Sequence, residues 1–383
     1  MNDIVIIGSG LGGYGLAREI RGADPDVPVT VVTADDGAQY SKPMLSNAFA
    51  QGKDAAALVQ KAPEIAAEAL KIAVRPNSRV SGIDPIGHRI QLQGGDSLTY
   101  AKLVLALGAD PINLPIPGGE QVPVMTVNDL DAYGAWRERI AEGKRVLLIG
   151  AGLIGAEFAN DLAIAGYKVT VVDPAPWPVA RLVPEALGSL LTDSLAEAGI
   201  DLRMGRTVAR IDPADSGFVA TLDDGSEVPV DHALSAIGLA PRTQLAAAAG
   251  LECAKGIRID SMMGTSDPDI YALGDCAESE AGPLPFVAPL LAQAKALAKS
   301  LTGTPTPLML PALPVVVKTP ALPLVVCPPK PGAEGDWTVT GEGRNLVAEF
   351  IAADGTKLGF ALTGETTGLR RTMAKEMPDL LAG

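Results

Sequence analysis

Two segments of this chain repeat one pattern: a short apolar run, three glycines spaced G-x-G-x-x-G, and the start of a helix. The first is IVIIGSGLGGYGLAREI, with Gly8, Gly10 and Gly13; the second is VLLIGAGLIGAEFAN, with Gly150, Gly152 and Gly155. A β-branched run follows each, VPVTVVT at 27–33 and YKVTVV at 167–172. Strand, helix and strand within about thirty residues make a crossover unit whose two strands pair in parallel. Two such units commit the chain to an α/β fold, with two parallel sheets and helices packed on them.

The runs AKLVLALG at 101–108 and HALSAIG at 232–238 fall outside the second unit, which suggests that the first domain is interrupted and later resumed. The expected division is 1–113 with 233–310 for the first domain, 114–232 for the second, and 311–383 for a small α+β C-terminal domain. Nine prolines fall from Pro305 to Pro331. Around them PVVVK and LPLVV are β-branched runs that proline confines to edge or terminal positions. The stretch from Leu308 to Val326 is apolar, but Pro311, Pro314, Pro320, Pro323 and Lys318 argue against a membrane-spanning helix. Beyond Trp337, WTVTG, NLVAEFIAADG and TKLGFALTG read as antiparallel strands, with Asp354-Gly355 as a hairpin turn. TGLRRTMAKEMPDLL reads as a closing amphipathic helix.

Composition narrows the partners. The formal charge is −14, from 45 acidic and 31 basic residues, so the chain has no basic excess to hold a nucleic-acid backbone. Three cysteines without a CxxC, and two histidines, encode neither a local redox dithiol nor a metal site. Sparse cysteine and an N-terminus without a basic n-region fit a cytoplasmic protein.

Each fingerprint suits a dinucleotide. Its first glycine permits the turn, its second lets a pyrophosphate approach the backbone, and its third lets helix and strand pack closely. The helix N-terminus adds N–H donors and a positive dipole end, which makes both units Rossmann-like dinucleotide-binding domains. Asp173 ends the second unit's second strand, 18 residues past Gly155, where a carboxylate holds the adenosine ribose hydroxyls. A 2′-phosphate about 4 Å away would be repelled by roughly 4 kcal/mol per charge at a dielectric near 20. No arginine follows before Arg181, so NADH is favoured over NADPH. In the first unit Thr33 and Ala34 stand where an acid is often found, with Asp35 and Asp36 next. Backbone groups or a displaced Asp35 then hold that ribose. A third signal is TSDPDIYALGDCAE, a strand running into Gly274-Asp275, whose carboxylate suits a ribityl or phosphate-side hydroxyl. Together these point to FAD in the first unit and a nicotinamide dinucleotide in the second.

GSGLGG, YSKPMLSN, GAGLIGAEFAN, SAIGLAPRT and TSDPDIYALGDCAE together resemble the two-dinucleotide flavoprotein reductases over essentially the whole chain. VTADDGAQYSKPMLSN and PVVVKTPALPLVVCPP resemble the rubredoxin-reducing branch of that family. The resemblance implies FAD contacts at Gly8, Ser9, Gly10, Leu11, Gly12, Gly13, Thr33, Ala34, Lys42, Val80, Glu157, Asp275, Val287 and Lys318. Gly150, Gly152, Gly155 and Asp173 remain for NAD. Lys42 alone reads as a solvated helix-start lysine, with Pro43 at the first helical position. Within the family pattern its ammonium lies against the flavin and stabilises charge on the reduced ring. Lys318, in an otherwise apolar strand, has the same two readings. Glu157 reads either as a first-turn carboxylate on its helix dipole or as the partner of Lys42 that orients nicotinamide.

The relatives that reduce disulfides need a cysteine pair beside the flavin, and AQYSKPMLSNAF has none. Cys276 reads as a small buried residue. Electrons would then leave the flavin directly for an external acceptor. Rubredoxin is the expected one; a flavorubredoxin-type protein or a [2Fe–2S] ferredoxin is the alternative. A non-enzymatic NADH-sensing flavoprotein is the reading from another class.

Overall fold

Each fingerprint opens a parallel sheet in the computed structural model, which describes residues 3–118 and 122–382. The first sheet runs Ile270–Ala272, Lys102–Leu105, Ile4–Ile7, Val29–Val32, Ala73–Arg75, every neighbour parallel. The second runs Val124–Met125, His232–Ser235, Arg145–Ile149, Lys168–Asp173, Asp201–Met204, also parallel throughout. The central strands are buried on both faces, which is why they read as unbroken apolar runs.

Alternation along those runs sorts residues between two cores. Ile4 and Ile6 pack with Leu16 and Ile20 of helix Leu11–Ala23 and with Leu297 of helix Val287–Leu301. Val5 and Ile7 face the other way, toward Ile90 and Leu92 of a three-stranded antiparallel meander, Val80–Asp84, Arg89–Leu92 and Ser97–Thr99. The second unit repeats this. Val146 and Leu148 pack with Phe158 and Leu162 of helix Leu153–Ile164. Leu147 and Ile149 meet a second meander, Val208–Pro213, Phe218–Leu222 and Glu227–Val230. The internal repeat is thus larger than the two crossover units legible in the sequence, because the meanders share no motif.

The rest is an antiparallel sheet in the order Val315–Val317, Leu324–Cys327, Lys357–Thr363, Asn345–Ile351, Asp336–Glu342. The hairpin turns at Asp354-Gly355 as expected, with Gly355 at φ +85° and Asp354 accepting from the Thr356 amide at 2.9 Å. The architecture is α/β, with two Rossmann-type units and a C-terminal domain. None of the described helices is long and apolar enough to cross a membrane.

Three expectations need correction. His232–Ser235 belongs to the second sheet, paired with Arg145–Ile149, and does not resume the first. The first sheet's returning strand is Ile270–Ala272. An apolar run suits either sheet, and only the long-range pairing chooses. The closing segment is a 3₁₀ turn, Gly364–Leu369, and a short helix, Arg370–Ala374. The Thr366 hydroxyl ties the turn to the Leu346 carbonyl on strand Asn345–Ile351. The segment after Ser41 is a 3₁₀ helix, Lys42–Asn47, that begins at Lys42, one residue before Pro43.

Candidate functional site

The three glycines of each fingerprint meet different surroundings. A Cβ on Gly13 or Gly155 would come under 3.0 Å from the carbonyl oxygen of Gly8 or Gly150, closer than a real Cβ goes. A Cβ on Gly150 would lie 2.7 Å from the Ala236 carbonyl oxygen. Gly10 and Gly152, each at a helix N-cap, have nothing within 4 Å of that position. First and third glycines are therefore filled by the fold itself, and the second opens onto a space. That space is one continuous cleft of about 2840 Å³. Every residue expected at the site lines it except Gly13 and Gly155, which pack beneath. Val80 sits in its wall, and Val287 enters it at the first turn of helix Val287–Leu301.

Carboxylates fix both glycine turns. Asp173 accepts from the Ala151 amide at 2.6 Å and the Ala175 amide at 2.7 Å. In the first unit one oxygen of Asp35 accepts from the Ser9 hydroxyl at 2.9 Å, the Thr33 hydroxyl at 2.6 Å and the Gly37 amide at 3.0 Å. Thr33 thus serves Asp35, which takes the place that Asp173 holds in the second unit. Ser235 lines the cleft, and its buried hydroxyl has no partner among the described residues.

Between the two turns lie two ion pairs. Glu157, only 3% exposed, forms an ion pair with the Lys318 ammonium at 2.8 Å and accepts from the Ser46 hydroxyl at 2.5 Å and the Lys318 amide at 3.0 Å. The Lys318 ammonium also donates to the Pro43 carbonyl and to the Ser46 hydroxyl. Lys42 instead faces Asp275, at 3.8 Å. The expected Lys42–Glu157 pair is therefore corrected: the 3₁₀ helix presents Ser46 to Glu157 and leaves Lys42 at its other end. Burial lowers the pKa of the Lys42 ammonium, and Asp275 opposes that only in part.

Sequence reasoning missed the groups that hold these pairs. Asn160 and Asp161 stand one turn beyond Glu157 on the same helix. Asn160 accepts from the Ala321 amide at 2.9 Å, and Asp161 from the Phe49 and Ala50 amides, both at 2.9 Å. Burial raises the pKa of the Asp161 carboxyl, while those two amides pull it down. The helix thus clamps segment 46–50 and segment 318–321 with one polar stripe, spaced i, i+3 and i+4, whose spacing on an apolar helix was the available signal. Buried Gln293 accepts from the Gly274 amide at 2.8 Å and so places Asp275, a role without a local sequence signal.

No disulfide joins the cysteines, all three of which are thiols. Cys276 packs behind Asp275, its thiol 3.3 Å from the Leu105 carbonyl, and burial pushes its pKa up to about 11. Cys327 lies in the cleft wall and is pushed up to about 11 in the same way. Because the thiolate is the nucleophile, iodoacetamide at pH 8 should label half-buried Cys253 first and the other two only after unfolding. Mass spectrometry of the native protein showing Cys276 labelled as fast as Cys253 would refute this. The raised values also give a sign: the contribution of these thiols to stability is full below about 9 and is lost as pH rises through about 11.

Known proteins resemble this chain along its length. The family model described as pyridine nucleotide-disulphide oxidoreductase matches residues 2–296, and that described as rubredoxin binding C-terminal domain matches 307–377. The chain is 44% identical to a rubredoxin-NAD(+) reductase of Alcanivorax borkumensis, over 100% of both chains. It is 40% identical to a nitric oxide reductase FlRd-NAD(+) reductase of Aeromonas salmonicida, over 98% of this chain and 96% of that one. Among solved structures, a ferredoxin reductase for the CYP199A2 system from Rhodopseudomonas palustris superposes with a TM-score of 0.89 at 27% identity, covering 98% and 95% of the two chains. With two dinucleotide turns facing one cleft and a family match across both, the chain belongs to the pyridine nucleotide-disulphide oxidoreductases.

Proposed function

We propose that this protein is an NADH-dependent, FAD-containing reductase that passes electrons to rubredoxin, a small iron protein, in the cytoplasm. The observation that carries the reading is the single cleft joining both fingerprints through the Lys42–Asp275 and Lys318–Glu157 pairs. At about 2840 Å³ it exceeds the roughly 300–1,000 Å³ of ordinary ligand pockets and has room for two dinucleotides meeting in the middle.

The residues present fit FAD in the first unit. Gly10 leaves space for a pyrophosphate, helix Leu11–Ala23 supplies amide donors there, and Asp275 offers a carboxylate to the flavin-side hydroxyls. When bound, a flavin accepts electrons in pairs from a nicotinamide and releases them singly, which suits a one-iron acceptor. Lys42, paired with Asp275 in the cleft wall, places an ammonium group where negative charge would develop and so favours it. Glu157 anchors Lys318 and thereby ties strand Val315–Val317 and its sheet to the middle of the cleft. Asp173 sets the adenosine end. The match to a rubredoxin-binding domain over 307–377 supports the acceptor. Two others remain to compare, a flavorubredoxin-type protein and a [2Fe–2S] ferredoxin.

NADH oxidation by the yellow protein, followed with each acceptor in turn, tests the reading. Rubredoxin should be reduced with a kcat/KM at least tenfold above the other two. NADPH should be about 100-fold poorer than NADH, within the limit that Asp173 repulsion sets. Bound FMN in place of FAD, or NADH consumption that rubredoxin does not accelerate, would overturn it.

A further inference from the structure

Arg206 stands 33 positions beyond Asp173 in sequence and beside it in space. Strand Asp201–Met204 runs parallel to Lys168–Asp173 with Met204 opposite Asp173. The chain then turns, so that the Gly205 amide donates to the Ala175 carbonyl at 2.9 Å and the Arg206 amide to the Asp173 carbonyl at 3.1 Å. Both Asp173 and Arg206 line the cleft. The Arg206 guanidinium is held by Asp224, Nε to Oδ2 at 2.8 Å, on the turn between Phe218–Leu222 and Glu227–Val230. Asp223 fixes that turn to the same segment, its amide donating to the Thr207 carbonyl at 3.0 Å. The two side chains are 45% and 35% exposed, so the pair is weak and easily exchanged.

We propose that Arg206 is a second determinant of which nicotinamide dinucleotide the site accepts, kept from a 2′-phosphate by its pairing with Asp224. With the pair made, Asp173 meets a ribose hydroxyl and its charge repels a phosphate at that position. With the pair broken, the guanidinium fork, carried on the segment whose backbone bonds to Asp173, is free to turn to a 2′-phosphate, the geometry it matches best. Discrimination is then shared by one carboxylate that faces the ribose and another that occupies the nearest arginine. The inference rests on the second fingerprint being the nicotinamide dinucleotide site.

Calorimetric binding of ADP and of adenosine 2′,5′-bisphosphate to the FAD-loaded protein tests it without turnover. Asp224→Asn keeps an acceptor for the Ser226 amide and removes the charge. It should tighten the bisphosphate about fivefold, as one charge-assisted contact at an exposed site would, and change ADP less than twofold. Arg206→Ala combined with Asp224→Asn should lose that gain. A gain that survives in the double variant would come from charge removal alone and would overturn the proposal, as would no gain at all. If Asn disturbs the turn, Arg206→Ala in the otherwise unchanged chain serves instead. The bisphosphate should then stay within twofold, and a fivefold loss would mean that Arg206 already meets the phosphate, which also overturns the proposal. Failure of ADP itself to bind would count against the dinucleotide reading of the second unit.

Discussion

Gly155→Ala should remove nicotinamide dinucleotide binding together with the local fold, whereas Gly152→Ala, three positions earlier, should weaken binding and spare the fold. A methyl group on Gly155 would come under 3.0 Å from the Gly150 carbonyl oxygen, a backbone atom fixed by strand Arg145–Ile149. Nothing flexible can yield, so helix and strand must part. Overpacking of this kind costs about 1–3 kcal/mol where side chains can adjust, and more where only backbone can. Gly152 has φ −69°, which alanine adopts, and open space at its Cβ position. Alanine is a poorer N-cap than glycine, so its stability cost should stay below about 1 kcal/mol. The lost clearance should still weaken ADP binding at least tenfold. Urea unfolding with ADP calorimetry separates the two outcomes. A Gly155→Ala protein with the stability and affinity of the parent would disprove the packing role of the third glycine.

Lys318→Met should destabilise the protein by about 3 kcal/mol, the lower end of the cost of stripping one partner from a buried ion pair. Glu157 would remain 3% exposed, with the Ser46 hydroxyl and the Lys318 backbone amide as its donors and no cation. Lys318 is itself a third exposed, which keeps the figure from rising further. Adding Glu157→Leu should recover most of the loss, because two apolar residues leave no unpaired charge behind. Denaturant midpoints for the two single variants and the double variant complete the cycle. A single variant within 0.5 kcal/mol of the parent would show that solvent reaches Glu157. Flavin reduction by NADH should slow in Lys318→Met even where the fold survives, since the Pro43 carbonyl and the Ser46 hydroxyl lose their bonds to the Lys318 ammonium.

Much of the frame was legible because it is written locally. The glycine spacing, the β-branched runs and Asp173 lie within one crossover unit each, and a short-range period announces them. The same holds for the Asp354-Gly355 turn and for the prolines that argue against a membrane-spanning helix over 308–326. The strand His232–Ser235 was misplaced because an apolar run carries no label for its sheet. Lys42 and Lys318 both line the cleft, yet Glu157 pairs with Lys318 and not, as expected, with Lys42.

The sequence by itself determined two dinucleotide turns, the acid that ends the second, and a C-terminal antiparallel sheet, because each is set by residues close enough to shape one another's backbone. The tertiary structure alone decided that Glu157 meets Lys318, 161 positions away, and Ser46, 111 positions away, while Lys42 meets Asp275. It alone brought Arg206 beside Asp173, through the pairing of two parallel strands. Such meetings depend on which distant segments share a sheet edge or a helix face. Burial and long-range packing make that choice, and no spacing along the chain records it.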